Sequence, residues 1–237
     1  MNVAIVGYGT MGKVLEGVLE EQVGITCVGA VEPQRGETLS DLRDKIDVII
    51  DFSNPINLKM IEEFVALKPC AVVIATTGYT SEQTARVTAM AQKIPVVFAA
   101  NFSLGVTVMK RVLAEITPIL EGNFDMEMVE KHHNKKLDAP SGTAKMLVNA
   151  MNPAGAYELV YGREGNGKRS KEIGIHALRG GTIAGEHTAI YAGEDEILEI
   201  KHTALSKKIF AVGAVKAAIY ACGKKAGLYD MENVLFG

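Results

Sequence analysis

The run Glu130-Lys131-His132-His133-Asn134-Lys135-Lys136-Leu137-Asp138-Ala139-Pro140-Ser141-Gly142-Thr143-Ala144 sets two adjacent histidines, three lysines and a Pro-Ser-Gly-Thr turn side by side. Such residues move protons and hold anions. Lys136 is the first candidate for a general acid, because an ammonium among other basic groups gives up its proton more readily. His132 is the second, since a histidine changes charge near neutrality. Ser141, Gly142 and Thr143 fall where a helix would begin, with outward N–H groups and a positive dipole end, which suits a small carboxylate-bearing ligand. Asp138 either orients Lys136 or a histidine, or caps the turn that follows it. A metal site is not expected. His132 and His133 point to opposite sides of an extended chain, and His176, His187 and His202 have no ligand spacing.

Two elements must hold this loop. Before it, Phe124 to Glu130 alternates apolar and acidic residues, the pattern of a half-buried strand. After it, Ala144 to Val148 can open a helix. The histidines and lysines therefore sit at a strand end, and Ser141-Gly142-Thr143 at a helix start.

A second chemical feature lies at the other end of the chain. The apolar run Val3 to Val6 reads as a buried parallel strand, and Gly7-Tyr8-Gly9-Thr10-Met11-Gly12 follows it. An amphipathic helix then runs through Val14, Leu15, Val18 and Leu19. Between a strand and a helix, G-x-G-x-x-G is a dinucleotide-binding fingerprint. Gly7 allows the tight turn, Gly9 a close approach of backbone to pyrophosphate, and Gly12 close helix–strand packing. Glu32 ends the second strand, Ile25 to Val31, where an acid would bind the adenosine ribose hydroxyls. That favours NADH, because a 2'-phosphate would be repelled; Lys13 and Arg35 could offset the repulsion.

Further strands are expected at Ile46–Asp51, Ala71–Ala75 and Pro95–Phe98, alternating with helices. The result is an α/β fold, a Rossmann-type doubly wound parallel sheet. Ligands bind at the carboxyl ends of such strands, so loops carrying Gly7 to Met11, Glu32, Phe52-Ser53, Ala75-Thr76-Thr77 and Ala99-Ala100-Asn101-Phe102 should line one crevice. Phe102 is either a ring against the nicotinamide or inter-domain core. After Ser103 the alternation breaks. A helix over about residues 106–120 leads to a second, α+β domain. There Ile173–Arg179, Glu186–Ala192 and Ile197–Ala204 alternate at period two and read as an antiparallel meander. With the Phe124 strand they form a mixed, largely antiparallel sheet, one face of which is free for another subunit. A helix over Phe210–Lys225 returns to the first domain. Residues 1–103 with 208–237 then form the dinucleotide-binding domain, and 104–207 the substrate-binding and oligomerisation domain.

Composition excludes other classes. The chain has 237 residues, 48% hydrophobic and 22% charged, with a net charge of -3, which argues against a nucleic-acid surface. No apolar run is long enough to span a bilayer. Met1 to Val6 runs straight into the glycine motif with no charged leader, and Cys27, Cys70 and Cys222 have no disulfide or metal spacing. Small buried thiols in a reducing cytoplasm are expected.

The motif Glu-x-His-His-x-x-Lys-x-Asp-Ala-Pro-Ser-Gly-Thr over Glu130 to Thr143 resembles the signature of the dihydrodipicolinate reductases, or 4-hydroxy-tetrahydrodipicolinate reductases, of bacterial lysine biosynthesis. The likeness extends along nearly the whole chain. It implies reduction of the dihydrodipicolinate precursor with NADH and/or NADPH, and a homotetramer built through the second domain's sheets. It implies His132 and Lys136 as the acid/base pair. The ligand would be a cyclic dicarboxylate, with Ser141, Gly142 and Thr143 at one carboxylate and His133 and Lys136 at the other. Lys207 matches a basic position that contacts substrate in relatives. The crevice loops resemble the family's cofactor-binding segments, and a basic residue at the position of Lys13 goes with use of both cofactors. Two positions depart from the pattern: Pro33 stands where some members carry arginine directly after the acid, and Val212 where an asparagine is usual. In such chemistry the cofactor carries the hydride, so the protein must bind an acceptor and supply a proton. Other readings are a two-domain amino-acid or imine dehydrogenase, or a dinucleotide sensor. A sensor has no need of His132, His133, Lys136 and the Ser141-Gly142-Thr143 turn together.

Overall fold

The computed structural model describes residues 1–42 and 45–237. Its elements in chain order begin with β1 (Asn2–Val6), α1 (Thr10–Glu20), β2 (Thr26–Val31), β3 (Val48–Asp51), α2 (Leu58–Leu67), β4 (Ala71–Ile74), α3 (Ser81–Ala91), β5 (Pro95–Phe98) and α4 (Leu104–Leu120). They continue with β6 (Asp125–His132), α5 (Gly142–Met151), β7 (Glu158–Tyr161), β8 (Glu172–Arg179), β9 (Gly185–Ala192), β10 (Ile197–Ala204), α6 (Lys208–Cys222), β11 (Gly227–Tyr229) and α7 (Met231–Phe236). The chain divides into two compact units, Met1–Leu104 with Lys207–Gly237, and Gly105–Ser206.

The first unit is built on a six-stranded, all-parallel sheet of order β11-β5-β4-β3-β1-β2. Its central strands are buried on both faces, as unbroken apolar runs require. Alternate residues feed two cores. Val3, Ile5, Val48, Ile50, Val73 and Val97 pack with α1 and α6. Ala4, Val6, Ile49, Val72, Ile74 and Val96 pack with residues of α2 and α3 on the opposite face. Leu15, Val18 and Leu19 form the buried stripe of α1 at helical spacing. The buried stripe of α6 is alanine-rich, including Ala211, Ala214, Ala217, Ala218 and Ala221. This helix begins at Lys208 and stops at Cys222 before Gly223, earlier than the expected end at Lys225. The expected α/β doubly wound sheet is present.

The second unit has a five-stranded mixed sheet of order β10-β9-β6-β8-β7. It is not a meander. β6 lies between β8 and β9, parallel to the first and antiparallel to the second. Parallel neighbours need a crossover, and α5, which follows β6, supplies one. Alternation along a strand fixes which face each residue occupies but not which strand lies beside it. One face carries Met126, Met128, Ile173, Ile175, Ala189 and Tyr191, packed with residues of α4 and α5. β6 also runs two residues past the expected end at Glu130, because Lys131 and His132 still pair with neighbouring strands. His132 is therefore a strand residue, and only His133 opens the loop. Among the cysteines, Cys70 is buried but Cys222 is exposed, against the expectation of uniformly buried thiols. Among the described residues, no helix is long and apolar enough to cross a membrane.

Candidate active site

In the first unit, the glycine turn occupies the strand order's switch point, between β1 and β3. Gly7 has φ +91°, and its N–H donates to Val31 O at 2.9 Å. A Cβ on Gly7 would lie 2.7 Å from Phe52 O and Ser53 Cβ, so the turn packs directly on that loop. A Cβ on Gly12 would strike the Gly7 carbonyl, whereas one on Gly9, at the start of α1, would meet nothing within 4 Å. The turn is thus tight behind and open in front, the form a pyrophosphate cradle needs. Met11 is partly buried against the α1/α6 core, Thr10 is the first residue of α1, and Lys13 lies over the Tyr8 ring. The Tyr8 hydroxyl donates to Glu16. Glu32 follows β2 and pairs with Arg35 at 2.7 Å, while its N–H donates to Glu37 at 2.7 Å.

The loops after β3 and β4 are joined by one buried carboxyl. Asp51 is fully buried and bonds Ser53 Oγ and the Tyr79 hydroxyl. Ser53 N–H donates to Thr76 Oγ1 at 2.8 Å. Burial pushes the Asp51 carboxyl up, against the lowering effect of hydrogen bonds from Ser53, Thr76 and Tyr79. Ala75 N–H donates to Asp51 O and Ala99 N–H to Ile74 O. Thr77 and Ala100 are exposed, and Asn101 accepts from Ser103 N–H at 2.8 Å. The Phe102 ring is 2% exposed in the α1/α6 core, edge-on to Phe52.

In the second unit, the alternation that buries Met126 and Met128 also buries Glu130 and His132. Glu130 has no exposed surface. It accepts two bonds from Arg179, at 2.7 and 2.8 Å, one from Ser141 N–H at 2.9 Å, and lies 2.6 Å from His132 Nδ1. Burial alone would raise its carboxyl; Arg179, then His132 and Ser141, outweigh burial and hold it below the usual carboxylate range. Arg179 also donates to Asp138 O, tying the loop to β8. The loop is closed further by Gly180 N–H on His132 O and Asn134 N–H on Gly181 O.

The expected loop residues divide by depth. Lys136 is partly buried and pairs with Asp138 at 2.8 Å. Lys136 first, with the Gly142 amide contributing, keeps the Asp138 carboxyl low. Asp138 is thus paired with Lys136 and lies near the Gly142 amide at the helix start. His133 Nδ1 is shielded and has no hydrogen-bond partner. Ser141 is the N-cap of α5, accepting from Ala144 N–H at 3.1 Å and bonding His187 Nε2 at 3.0 Å. Its hydroxyl is internal, whereas Gly142 is exposed and Thr143 half-buried. Lys207 is exposed and belongs to the first unit, just before α6.

Sequence reasoning gave Glu130 no role and missed Arg179 and His187. Glu130 was detectable as the acid in phase with Met126 and Met128, and His187 as the histidine in phase with Ala189 and Tyr191. Arg179 carried no local signal. His187 lies edge-on to His132, with ring centroids 5.2 Å apart, and opposite His202 on β10. Among the described residues, no cluster of His, Cys, Asp or Glu could hold a metal ion. A cleft of about 750 Å³ opens at the other end of this sheet, beside Phe124, Asp125 and Gly193, and none of the candidate residues line it.

Burial, then the neighbouring His132, lowers His187 from 6.5 to about 4. The native protein keeps it neutral where the unfolded chain would protonate it. The folded state should therefore lose stability as pH falls from about 6.5 to about 4, by at most ~3 kcal/mol from this group. Thermal melts across that window would show the slope, and His187→Gln should flatten it.

Two family models match, described as dihydrodipicolinate reductase, N-terminus, over residues 1–102, and C-terminus, over residues 105–235. A 4-hydroxy-tetrahydrodipicolinate reductase of an Exiguobacterium species is 42% identical over 99% of this chain and 95% of its own length. The enzyme of the same name from Brachyspira hyodysenteriae is 41% identical over 99% of this chain and all of its own length. A solved structure of dipicolinate-bound dihydrodipicolinate reductase from Paenisporosarcina sp. TG-14 shares the fold, with a TM-score of 0.80 at 24% identity over 99% of both chains. With both family models matched in sequence order and full-length relatives at this identity, the chain belongs to the dihydrodipicolinate reductase family.

Proposed function

We propose that this chain reduces 4-hydroxy-tetrahydrodipicolinate to tetrahydrodipicolinate, with NADH or NADPH as reductant, in the diaminopimelate and lysine pathway. The observation that carries the reading is the end of β6 with the loop after it, a short run that carries His132, Lys136 and the start of α5, in a chain about 40% identical to full-length reductases of that name.

The dinucleotide falls to the first unit, on Gly7 to Lys13, Glu32, Phe52-Ser53, Ala75 to Thr77 and Ala99 to Phe102; when bound, it supplies the hydride. The second unit binds the substrate. The Gly142 and Thr143 amides with the Thr143 hydroxyl receive one carboxylate. His133 and Lys136 receive the other. The 4-hydroxyl first leaves as water with a hydrogen of the neighbouring ring carbon, giving a conjugated imine. Hydride addition turns this into an enamine, and the carbon beside the one that took the hydride then takes a proton from Lys136 or His132. Asp138 holds the Lys136 ammonium in place until the substrate arrives. Ser141 acts through the helix cap that it makes rather than by touching the ligand.

Both dinucleotides serve, because Arg35 already partners Glu32 and Lys13 is exposed beside the turn. The sheet face opposite α4 and α5, with Val129, Thr188 and Ile190, packs against other subunits in a homotetramer, and the enzyme works in the cytoplasm. The direct test is optical: NADH oxidation should start when the enzymic condensation product of pyruvate and aspartate semialdehyde is added. No oxidation with fresh product and folded protein would reject the reading.

A further inference from the structure

We infer that Glu130 is a positioning residue, which fixes the proton of His132 on Nδ1, leaves Nε2 as its working atom, and sets that atom's position relative to the carboxylate-binding start of α5. This deepens the proposed function and rests on it for the role of His132.

Glu130 occupies a strand position that would ordinarily hold an apolar side chain, in phase with Met126 and Met128. A buried carboxylate there is a poor means of stabilising the fold, since an apolar residue of similar volume would serve as well or better. Its bonding pattern points elsewhere. Arg179 meets both carboxylate oxygens. The carboxylate is therefore ionised and can only accept. Because Oε2 lies 2.6 Å from His132 Nδ1, that nitrogen must be the donor whether the ring is neutral or charged. The proton that His132 exchanges is then the one on Nε2.

The surroundings favour that atom. Gly185 is the cross-strand neighbour of His132, and a Cβ there would stand 3.0 Å from Nε2. The missing side chain keeps the nitrogen unobstructed. Oε1 of the same carboxylate accepts from Ser141 N–H, the N-cap of α5. One rigid group thus locks the acid and the anion-binding helix start together. Arg179 extends the lock to the loop through Asp138 O.

The charged and titratable groups around His132 are Glu130 from β6, Arg179 from β8, His187 from β9 with His202 of β10 behind it, and Lys136 and Asp138 from the loop. Of these, Glu130 alone hydrogen-bonds the ring.

The test uses histidine-labelled full-length protein and ¹⁵N NMR, with the His132 signal assigned by its loss in His132→Gln. The expected wild-type spectrum shows His132 as the Nδ1–H tautomer. In Glu130→Gln the ring should lose that single form, with the Nε2–H tautomer appearing beside Nδ1–H. Turnover should fall about 10- to 100-fold, with KM for the dinucleotide unchanged. A merely structural role would lower stability and leave the tautomer in place. An Nε2–H tautomer in the wild type, or an unchanged Nδ1–H tautomer in folded Glu130→Gln, overturns the inference. If Glu130→Gln does not fold, the wild-type tautomer decides alone. If the tautomer is as expected but the enzyme does not turn over its substrate, the proposed function fails and the assignment of Glu130 stands.

Discussion

Lys136→Ala should lower turnover by about 10²- to 10⁴-fold, the range for loss of a positioned general acid. His132→Ala should lower it by a similar factor. In both variants, dinucleotide binding should stay within about twofold of wild type by calorimetry, because neither residue lies in the first unit. The two should differ in the substrate term. Lys136 is the only candidate acid that also faces a carboxylate in the proposed site, so its loss should raise KM for the substrate as well as lower kcat. His132 is buried on Glu130, so its loss should act mainly on kcat. The double variant should cost little more than the worse single one, as happens when residues act as a unit. Undiminished turnover in both single variants would remove the proton-transfer scheme.

Glu32→Arg should move cofactor preference toward NADPH, by on the order of tenfold or more in the ratio of kcat/KM values, about 1.4 kcal/mol. The strand end now holds a paired Glu32 and Arg35, with Glu37 fixing the Glu32 backbone N–H. If Glu32 holds the ribose hydroxyls as proposed, reversing its charge removes their acceptor and sets a second arginine beside Arg35, which favours a 2'-phosphate. Pro33 fixes the turn between them, so the change should act through charge rather than through a new backbone path. Steady-state kinetics with both dinucleotides measures the ratio. An unchanged ratio would show that Glu32 does not touch the ribose.

The parts of this molecule that were legible in its sequence are those set by near neighbours in the chain. Gly7 to Gly12 can be read because turn, close approach and helix packing each constrain one residue of a short run. Ser141 to Thr143 can be read as a helix start from the few residues after them, although the cap bond of Ser141 cannot. The alternation of Met126, Met128 and Glu130 gives the face of β6. What could not be read depends on partners far away. Nothing local to Ile173–Arg179 says that β8 runs parallel to β6, so the Arg179–Glu130 pair was invisible. The short strands β7 and β11 escaped for the same reason, since each is defined by the strand beside it. Phe102 was ambiguous because its burial depends on α6, more than a hundred residues on, where the space left by Gly213 admits the Phe102 backbone.

The most direct test of the central claim follows the hydrogen itself. Reduction with NADH deuterated at the transferable position of the nicotinamide should place one deuterium per product molecule on the ring, with the neighbouring carbon drawing its hydrogen from solvent, and one NAD⁺ formed per turnover. Product free of the cofactor's deuterium, formed at the normal rate, would contradict it.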